Sequence, residues 1–228
     1  MKKIFLSTMV GVAILFASCG GNPTNTQTSE KQEVAEKQGE MFVADTTISE
    51  VTWTATHKGG LAPRWGNIAV TSGELSVTEG NVTAGDFTVD MQAITVDNAS
   101  VTEADKKAID LQNHLKSADF FEVEKYPTAT FHITQVSDLD PATENAIAGA
   151  NKLVSGNLTL QDSTLNVTFP AKIDVQEDKV AVNAKFTVNR IDWGIKFGAS
   201  ELDPAEWGIS RDIEIGVNLE ATKQQQSL

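Results

Sequence analysis

Apolar and polar residues alternate along most of the chain after residue 41, and this is the pattern of strands that bury one face. The clearest case runs from Val180 to Val188, where every second side chain is apolar and those between are small or polar. The same alternation predicts about eight strands, which fall at residues 49–57, 65–77, 87–93, 128–134, 153–160, 165–173, 180–188 and 213–219.

Short turn sequences join several of these strands. Glu79-Gly-Asn81, Gln161-Asp-Ser-Thr164 and Glu177-Asp178 each separate two alternating segments, and Ser72-Gly73 interrupts one as a bulge or bend. Hairpin-linked strands with one apolar face form an antiparallel barrel or a sandwich. A barrel can hold a small ligand and a sandwich has a dry core, and periodicity alone fits both.

One helix interrupts the strands. Residues 103–115 place Ala104, Ala108, Leu111 and Leu115 at steps of three and four, and Thr102 with Asp105 resembles an N-cap pair. The connection that follows carries Phe120, Phe121 and Tyr126-Pro127, which is more aromatic weight than a surface loop needs. We expect it to fold onto a core or a cavity.

The amino terminus has the features of an export signal. Lys2 and Lys3 precede an apolar run, Ile4–Phe16, that is too short to span a bilayer. Phe16-Ala-Ser-Cys19 resembles the lipobox of bacterial lipoproteins, and Cys19 is the only cysteine. This predicts a signal peptide over residues 1–18 and lipid attachment at Cys19, which would hold the protein on a membrane; ordinary secretory cleavage is the alternative.

Composition divides the rest of the chain. Residues 19–40 are polar and nearly free of large apolar side chains, which predicts a flexible tether. Residues 41–222 form one domain in this prediction, and 223–228 a disordered tail. The formal net charge of −13 becomes −15 if Lys2 and Lys3 are removed with the leader. So acidic a protein is a poor partner for nucleic acid or for a polybasic membrane patch.

The sequence contains few residue patterns that indicate catalysis or metal binding. The three histidines, His57, His114 and His132, lie in no zinc-binding pattern, and Asp110 with His114 is only a weak candidate pair. There is no nucleophile elbow and no phosphate-binding glycine loop. We therefore predict no catalytic residue, no metal and no cofactor. Arg190 either pairs with Asp192 or meets an anionic ligand group.

A long motif resembles the YceI-like family of bacterial periplasmic proteins. It reads His114-Leu-Lys-Ser-x-Asp-Phe-Phe-x-Val-x-Lys-Tyr-Pro-x-x-x-Phe131. Further segments that resemble the family are Trp53-Thr-Ala-Thr-His57 with Gly66, Val154-Ser-Gly156-Asn-Leu-Thr-Leu160, Arg190-x-Asp192-Trp-Gly194 and Asp212–Ala221. Two segments depart from the family pattern: Gln161–Leu165 replaces Gly-Val-Thr-Lys-Pro, and Ser49-Glu50 replaces His-Ser.

The resemblance implies an all-β fold, an antiparallel eight-stranded lipocalin-like barrel with one short helix mid-chain. It also implies a non-catalytic role at the cell envelope, in the periplasm, where the barrel binds a polyisoprenoid or other apolar lipid for transport, storage or protection. A lipid hydrolase and a ligand-free structural module are the alternatives, and a homodimer is a candidate assembly. The candidate ligand-binding residues are Trp53, His57, Trp65, Phe87, Met91, Leu115, Phe120, Phe121, Phe131, Phe186, Arg190 and Trp193.

Overall fold

Alternating strands dominate the computed structural model, which describes residues 26–57, 60–144, 146–199 and 208–224. Within those ranges, no helix is long and apolar enough to cross a membrane. The elements are β1 Gln27–Glu30, β2 Glu40–Ala44, β3 Glu50–His57, β4 Ala62–Thr78, β5 Asn81–Asp90, α1 Ala108–Lys116, β6 Thr128–Asp138, β7 Lys152–Leu160, β8 Ser163–Val175, β9 Lys179–Asn189 and β10 Asp212–Lys223.

The eight strands from β3 to β10 close into a barrel. Each pairs antiparallel with the next along the chain, and β10 returns to pair with β3, where Ile215 lies opposite Trp53. Closure confirms the predicted antiparallel barrel and excludes the sandwich. The short β2 continues the position of β3 in the ring, because it pairs with β4 on one side and β10 on the other.

The barrel has two ends that differ in structure. We call one the mouth: it carries the β3–β4 connection, the β7–β8 turn, α1 and the segment between β9 and β10. The other, the closed end, carries the β4–β5 and β8–β9 turns and the start of β2 at Glu40, which pairs with Val77. Two buried clusters form most of the core: the closed-end cluster contains Phe42 and Leu75 and extends along the barrel as far as Trp193, and the other contains Met91 and Leu115 at the mouth.

A bulge in β4 changes which residues face inward. The pairing of β4 with β5 shifts between Val70 and Ser72, as the Ser72-Gly73 sequence predicts. Ile68 and Val70 face inward before the bulge, and Leu75 faces inward after it, so the parity of the strand switches. At Gly73 a Cβ would lie 2.3 Å from the Phe87 ring, so glycine is needed for close packing there.

Two predicted boundaries are wrong. The helix begins at Ala108 instead of Glu103, and its N-cap residue is Lys107, which makes no side-chain capping bond. The Glu103 carboxylate instead accepts two hydrogen bonds from Arg64, so a tertiary contact takes the residue out of the helix. The strand expected to reach Ala93 ends at Asp90, whose side chain caps a 3₁₀ turn over Met91–Ala93.

The segment expected to be a flexible tether differs most from its prediction. Residues 27–30 form β1, which pairs with β8, and residues 31–38 continue along the outside of the barrel. Hydrogen bonds between polar groups hold this segment against the barrel. Its lack of large apolar residues therefore did not indicate that the segment is ordered. At the other terminus, Gln224 N–H donates to the Met41 carbonyl. Residues 1–25, including Cys19, and 225–228 lie outside the described residues.

Candidate functional site

A cavity of about 780 Å³ occupies the barrel interior. Inward-facing side chains from all eight strands of the ring line it, and α1 and the segment after it cover part of the mouth. This volume lies within the roughly 300–1,000 Å³ of typical ligand sites. The alternating apolar positions that the sequence predicts as one buried face therefore surround a hollow.

Aromatic rings form one part of the cavity wall. Phe169 and Phe186 stack with their ring centroids 3.9 Å apart and their planes 5° from parallel. Phe131 lies against Phe169 with a centroid distance of 5.7 Å. Such rings offer a large apolar surface and lose little conformational freedom on binding, so this part of the wall suits a hydrocarbon ligand.

The aromatic connection predicted to fold inward does so at the mouth. Leu115, Phe120 and Phe121 line the cavity there. The His114 ring stands edge-on to Phe120, with centroids 5.0 Å apart. Gln161 Nε2 donates to the Phe120 carbonyl at 2.7 Å, which ties this connection to the β7–β8 turn.

Charged side chains gather where the cavity reaches the mouth. Arg64 donates to both carboxylate oxygens of Glu103 at 2.8 and 2.6 Å, and also to the Ser100 carbonyl at 2.6 Å. His57 Nε2 lies 3.8 Å from the same carboxylate. Sequence reasoning missed Arg64 and Glu103 because they are far apart in the chain, and no local pattern marks them. Besides His57 and His114, the charged residues that line the cavity are four Lys or Arg and two Asp or Glu: Arg64, Lys106, Lys107, Arg190, Glu103 and Asp110.

Arg190 organises the segment between β9 and β10. Its guanidinium donates to the carbonyls of Ser210 at 2.8 Å and Ile195 at 2.7 Å, and it lies 5.7 Å from the Phe120 ring centroid. Asp192, its predicted alternative partner, is not among its partners in the described part of the chain. Burial lowers the pKa of Arg190, and the positive charge of Arg211 adds to this effect.

The predicted ligand-binding residues divide by position. Trp65 and Trp193 do not line the cavity, whereas the others do: Trp53, His57, Phe87, Met91, Leu115, Phe120, Phe121, Phe131, Phe186 and Arg190. Trp65 pairs with Thr54, between the inward-facing Trp53 and Ala55, and so lies on the outer face. Trp193 is buried in the core, and its Nε1 donates to the Leu158 carbonyl at 3.1 Å.

His114, one of the two residues in the weak candidate metal pair, has a different carboxylate as its partner. His114 Nε2 lies 2.9 Å from the carboxylate of Asp119, not from that of Asp110. Within the described ranges, no group of three or more His, Cys, Asp or Glu side chains is placed to hold a metal ion.

Comparison with known proteins agrees with this architecture. A family model described as the YceI-like domain matches residues 42–221. The chain belongs to the YceI-like family. A UPF0312 protein of Pseudomonas aeruginosa (strain LESB58) is 31% identical over 131 residues, which are 55% of this chain and 60% of the relative. Protein YceI of Escherichia coli O17:K52:H18 is 30% identical over 136 residues, 55% of this chain and 61% of that protein.

Solved structures share the YceI-like fold at low identity. BcnA of Burkholderia cenocepacia superposes with a TM-score of 0.57 at 17% identity, covering 78% of this chain and 99% of BcnA. A polyisoprenoid binding domain from Saccharophagus degradans, implicated in plant cell wall breakdown, has a TM-score of 0.53 at 16% identity, covering 84% and 100%. The curated relatives are matched over only about three-fifths of their length.

Proposed function

We propose that this YceI-like protein binds a long apolar lipid, a polyisoprenoid or a similar chain, inside its barrel without altering it chemically. The observation that carries this proposal is the apolar cavity of about 780 Å³ at the centre of a closed barrel. Family membership supports it, as does the fold shared with the polyisoprenoid binding domain from S. degradans.

The energetics suit a hydrocarbon ligand. Burying one methylene group stabilises by about 0.8 kcal/mol, so a five-carbon isoprenoid unit contributes roughly 4 kcal/mol before losses. Association costs about 4–15 kcal/mol in lost freedom. Four or five buried isoprenoid units, at roughly 16–20 kcal/mol before losses, would therefore leave a net favourable binding energy.

The location is part of the same proposal. Cleavage before Cys19 and lipidation of its thiol would place the barrel on a bacterial membrane, facing the periplasm, where apolar lipids need a carrier between bilayers. The lipobox-like Phe16-Ala-Ser-Cys19 supports this location. Transport, storage and protection of the bound lipid are the roles that such a carrier would serve.

Filling the cavity tests the binding proposal. Ala184 is buried and lines the cavity, so Ala184→Trp would place an indole where the ligand lies. The next residue, Lys185, faces outward and pairs with Glu214, so Lys185→Trp is the matched control. We expect lipid to co-purify with the wild type and with Lys185→Trp, and to be lost from Ala184→Trp, as measured by native mass spectrometry and extraction.

Two results would contradict the proposal. A wild-type protein that is reproducibly empty after expression in a bacterial host would remove its basis. Equal lipid occupancy in the two tryptophan variants would mean that the lipid lies outside the barrel. A cleaved lipid in the cavity would instead favour the hydrolase alternative.

A further inference from the structure

The barrel wall has a gap between β8 and β9 on the side of the mouth. The two strands pair only over residues 171–175 of β8 and 180–184 of β9. Both strands continue beyond that pairing towards the mouth, where no backbone hydrogen bond of the described residues joins them. We call this gap, between residues 163–170 and 185–189, the seam.

Two stacked rings separate the seam from the cavity. Phe169 and Phe186 lie two positions beyond the last paired residues of β8 and β9, and both line the cavity. Their ring centroids are 3.9 Å apart, so the stack bridges the two strands where the backbone bonds have stopped. Trp193 marks the mouth end of the seam, where its Nε1 donates to the Leu158 carbonyl of β7. Side chains alone therefore form the inner layer of the wall along the seam.

Residues 26–38, which we call the strap, begin on the outside of the seam. Thr26 accepts a hydrogen bond from Thr187 N–H of β9 at 3.1 Å, and the next residue, Gln27, lies opposite Thr168 of β8. Adjacent residues of the strap thus contact the two strands that the seam separates. β1 then continues along the free edge of β8 and supplies the backbone partner that β9 does not provide there.

Polar contacts hold the strap, and little apolar surface is buried beneath it. Asn157 accepts from Gln32 N–H at 3.0 Å and donates to the Gln32 carbonyl at 2.7 Å. All four residues of β1 are exposed, and Val34 of the strap is 43% exposed. A segment with so few buried apolar contacts opens locally at a small free-energy cost while the barrel stays folded.

We propose that the seam is a second passage into the cavity, through which lipid enters and leaves the barrel sideways, and that the strap is the latch that closes it. This inference rests on the proposed binding of lipid in the cavity. Opening breaks the strap contacts and parts the stacked rings of Phe169 and Phe186, but it leaves the paired part of β8 and β9 intact. A long chain then passes through the wall instead of being threaded end-on through a mouth that α1 partly covers.

A latch of this kind changes rates and leaves affinity unchanged. Freeing the strap alters no residue that lines the cavity, so the free energy of the bound lipid relative to free lipid stays the same. The barrier falls equally in both directions, and uptake and release therefore accelerate by the same factor. Damage to the cavity would instead weaken binding.

Freeing the strap without changing the cavity tests the proposal. Asn157→Leu keeps the side-chain size but removes both bonds to Gln32, which should raise the population with an open strap about tenfold. Asn183→Leu is the matched control, because Asn183 lies on the outer wall and bonds to Asn218 instead. Trypsin cleavage after Lys31 reports how often the strap is open.

A reversible crosslink returns the strap to the wall. The substitutions Gln27→Cys and Thr168→Cys place two thiols opposite each other on β1 and β8, at a spacing that a disulfide fits. Cys19→Ser removes the only other thiol. In the Asn157→Leu background, oxidation of this pair holds the strap closed and reduction frees it, so one protein is compared with itself.

Transfer of a fluorescent geranylgeraniol between each protein and phosphatidylcholine vesicles measures both rates, and titration measures Kd. We expect uptake and release to be about tenfold faster in Asn157→Leu than in wild type and Asn183→Leu, with the same Kd in all three. Oxidation of the crosslinkable protein should return both rates to wild-type values. Gln32→Pro removes the same backbone N–H from the strap side and should give the same fast rates, which keeps the test open if Asn157→Leu fails to fold.

The results that overturn the passage differ from those that overturn lipid binding. Unchanged rates in a variant whose strap trypsin shows to be open would mean that lipid passes only through the mouth. Faster release with a weaker Kd would mean that the strap supports the cavity, and fast transfer in the oxidised protein would exclude the strap as the latch. If the wild type takes up no probe at all, lipid binding is overturned and the passage falls with it.

Discussion

Truncating one cavity-lining phenylalanine and one packed phenylalanine shows whether the barrel interior is a true hollow. Phe42 is fully buried in the closed-end cluster and does not line the cavity. Phe42→Ala should therefore cost about 3–5 kcal/mol, as for a phenylalanine in a close-packed core. Phe186 faces the cavity on one side and stacks on Phe169 on the other. Without ligand it has fewer contacts to lose, so Phe186→Ala should cost about 2 kcal/mol, of which stacking accounts for about 0.5–1.5.

Ligand narrows the difference in stability between the two variants. A polyprenol at a hundred times its Kd stabilises the native state by about 2.7 kcal/mol. Phe42→Ala should keep that increment. Phe186→Ala removes a ring contact of about 60 Å², worth roughly 1.5 kcal/mol, and so weakens binding about tenfold. Its increment should fall to about 1.4 kcal/mol at the same ligand concentration.

Urea unfolding of delipidated and reloaded protein measures both quantities. The free energy of unfolding and its dependence on urea should be fitted for each variant, because a changed slope would signal an altered denatured state. If Phe186→Ala costs as much as Phe42→Ala without ligand and keeps the full increment with it, Phe186 belongs to a filled core, and the carrier function loses its physical basis.

Two further predictions concern the backbone and pH. Gly66→Ala should destabilise by about 3 kcal/mol in urea unfolding, because its Cβ would lie 1.9 Å from the Thr95 carbonyl oxygen that binds Trp53 Nε1. Gly80→Ala is the control, because a Cβ at that position meets nothing within 4 Å and only the positive φ costs stability, about 1–2 kcal/mol. Equal losses of stability in the two alanine variants would contradict the steric reasoning. Burial raises the pKa of the Asp192 carboxyl, and the negative charge of Asp212 adds to this effect. The native state therefore keeps the proton of Asp192 to a higher pH than the unfolded state does. Ionisation of Asp192 lowers the stability of the protein as pH rises above about 3.9, the ordinary pKa of an aspartate. Asp192→Asn should therefore match wild type at pH 3 and be more stable than wild type at pH 7, and a gain that is the same at both pH values would argue against this titration.

The strands could be predicted because each carries its own evidence. Alternation in β9 marks an inward face without reference to any other strand, and the paired structure places that face on the cavity. The same rule would have excluded Trp65 from the cavity. Trp65 is an odd number of residues from the inward-facing Ile68 and Val70, and so it faces outward on β4. The aromatic connection after α1 was also identifiable, because Phe120 and Phe121 are too apolar for an exposed loop.

Long-range polar contacts account for most of what prediction missed. Glu103 leaves the expected helix because its carboxylate binds Arg64 from a strand 39 residues earlier. Trp193 follows a cavity-lining strand but turns into the core, where its indole N–H reaches the Leu158 carbonyl. Neither contact leaves a trace in local periodicity, since each depends on where the folded chain places a distant partner.

The sequence by itself determined the strands, their inward faces and the family, because side-chain periodicity and a long motif are local properties. Only the tertiary structure decided that the inward faces surround a hollow, since the balance of filled and empty volume depends on the spacing of all eight strands at once. It alone also decided that the polar residues before the domain are bound along the wall. Their order comes from hydrogen bonds to Asn157 and its neighbours, and such bonds exist only after the barrel has formed.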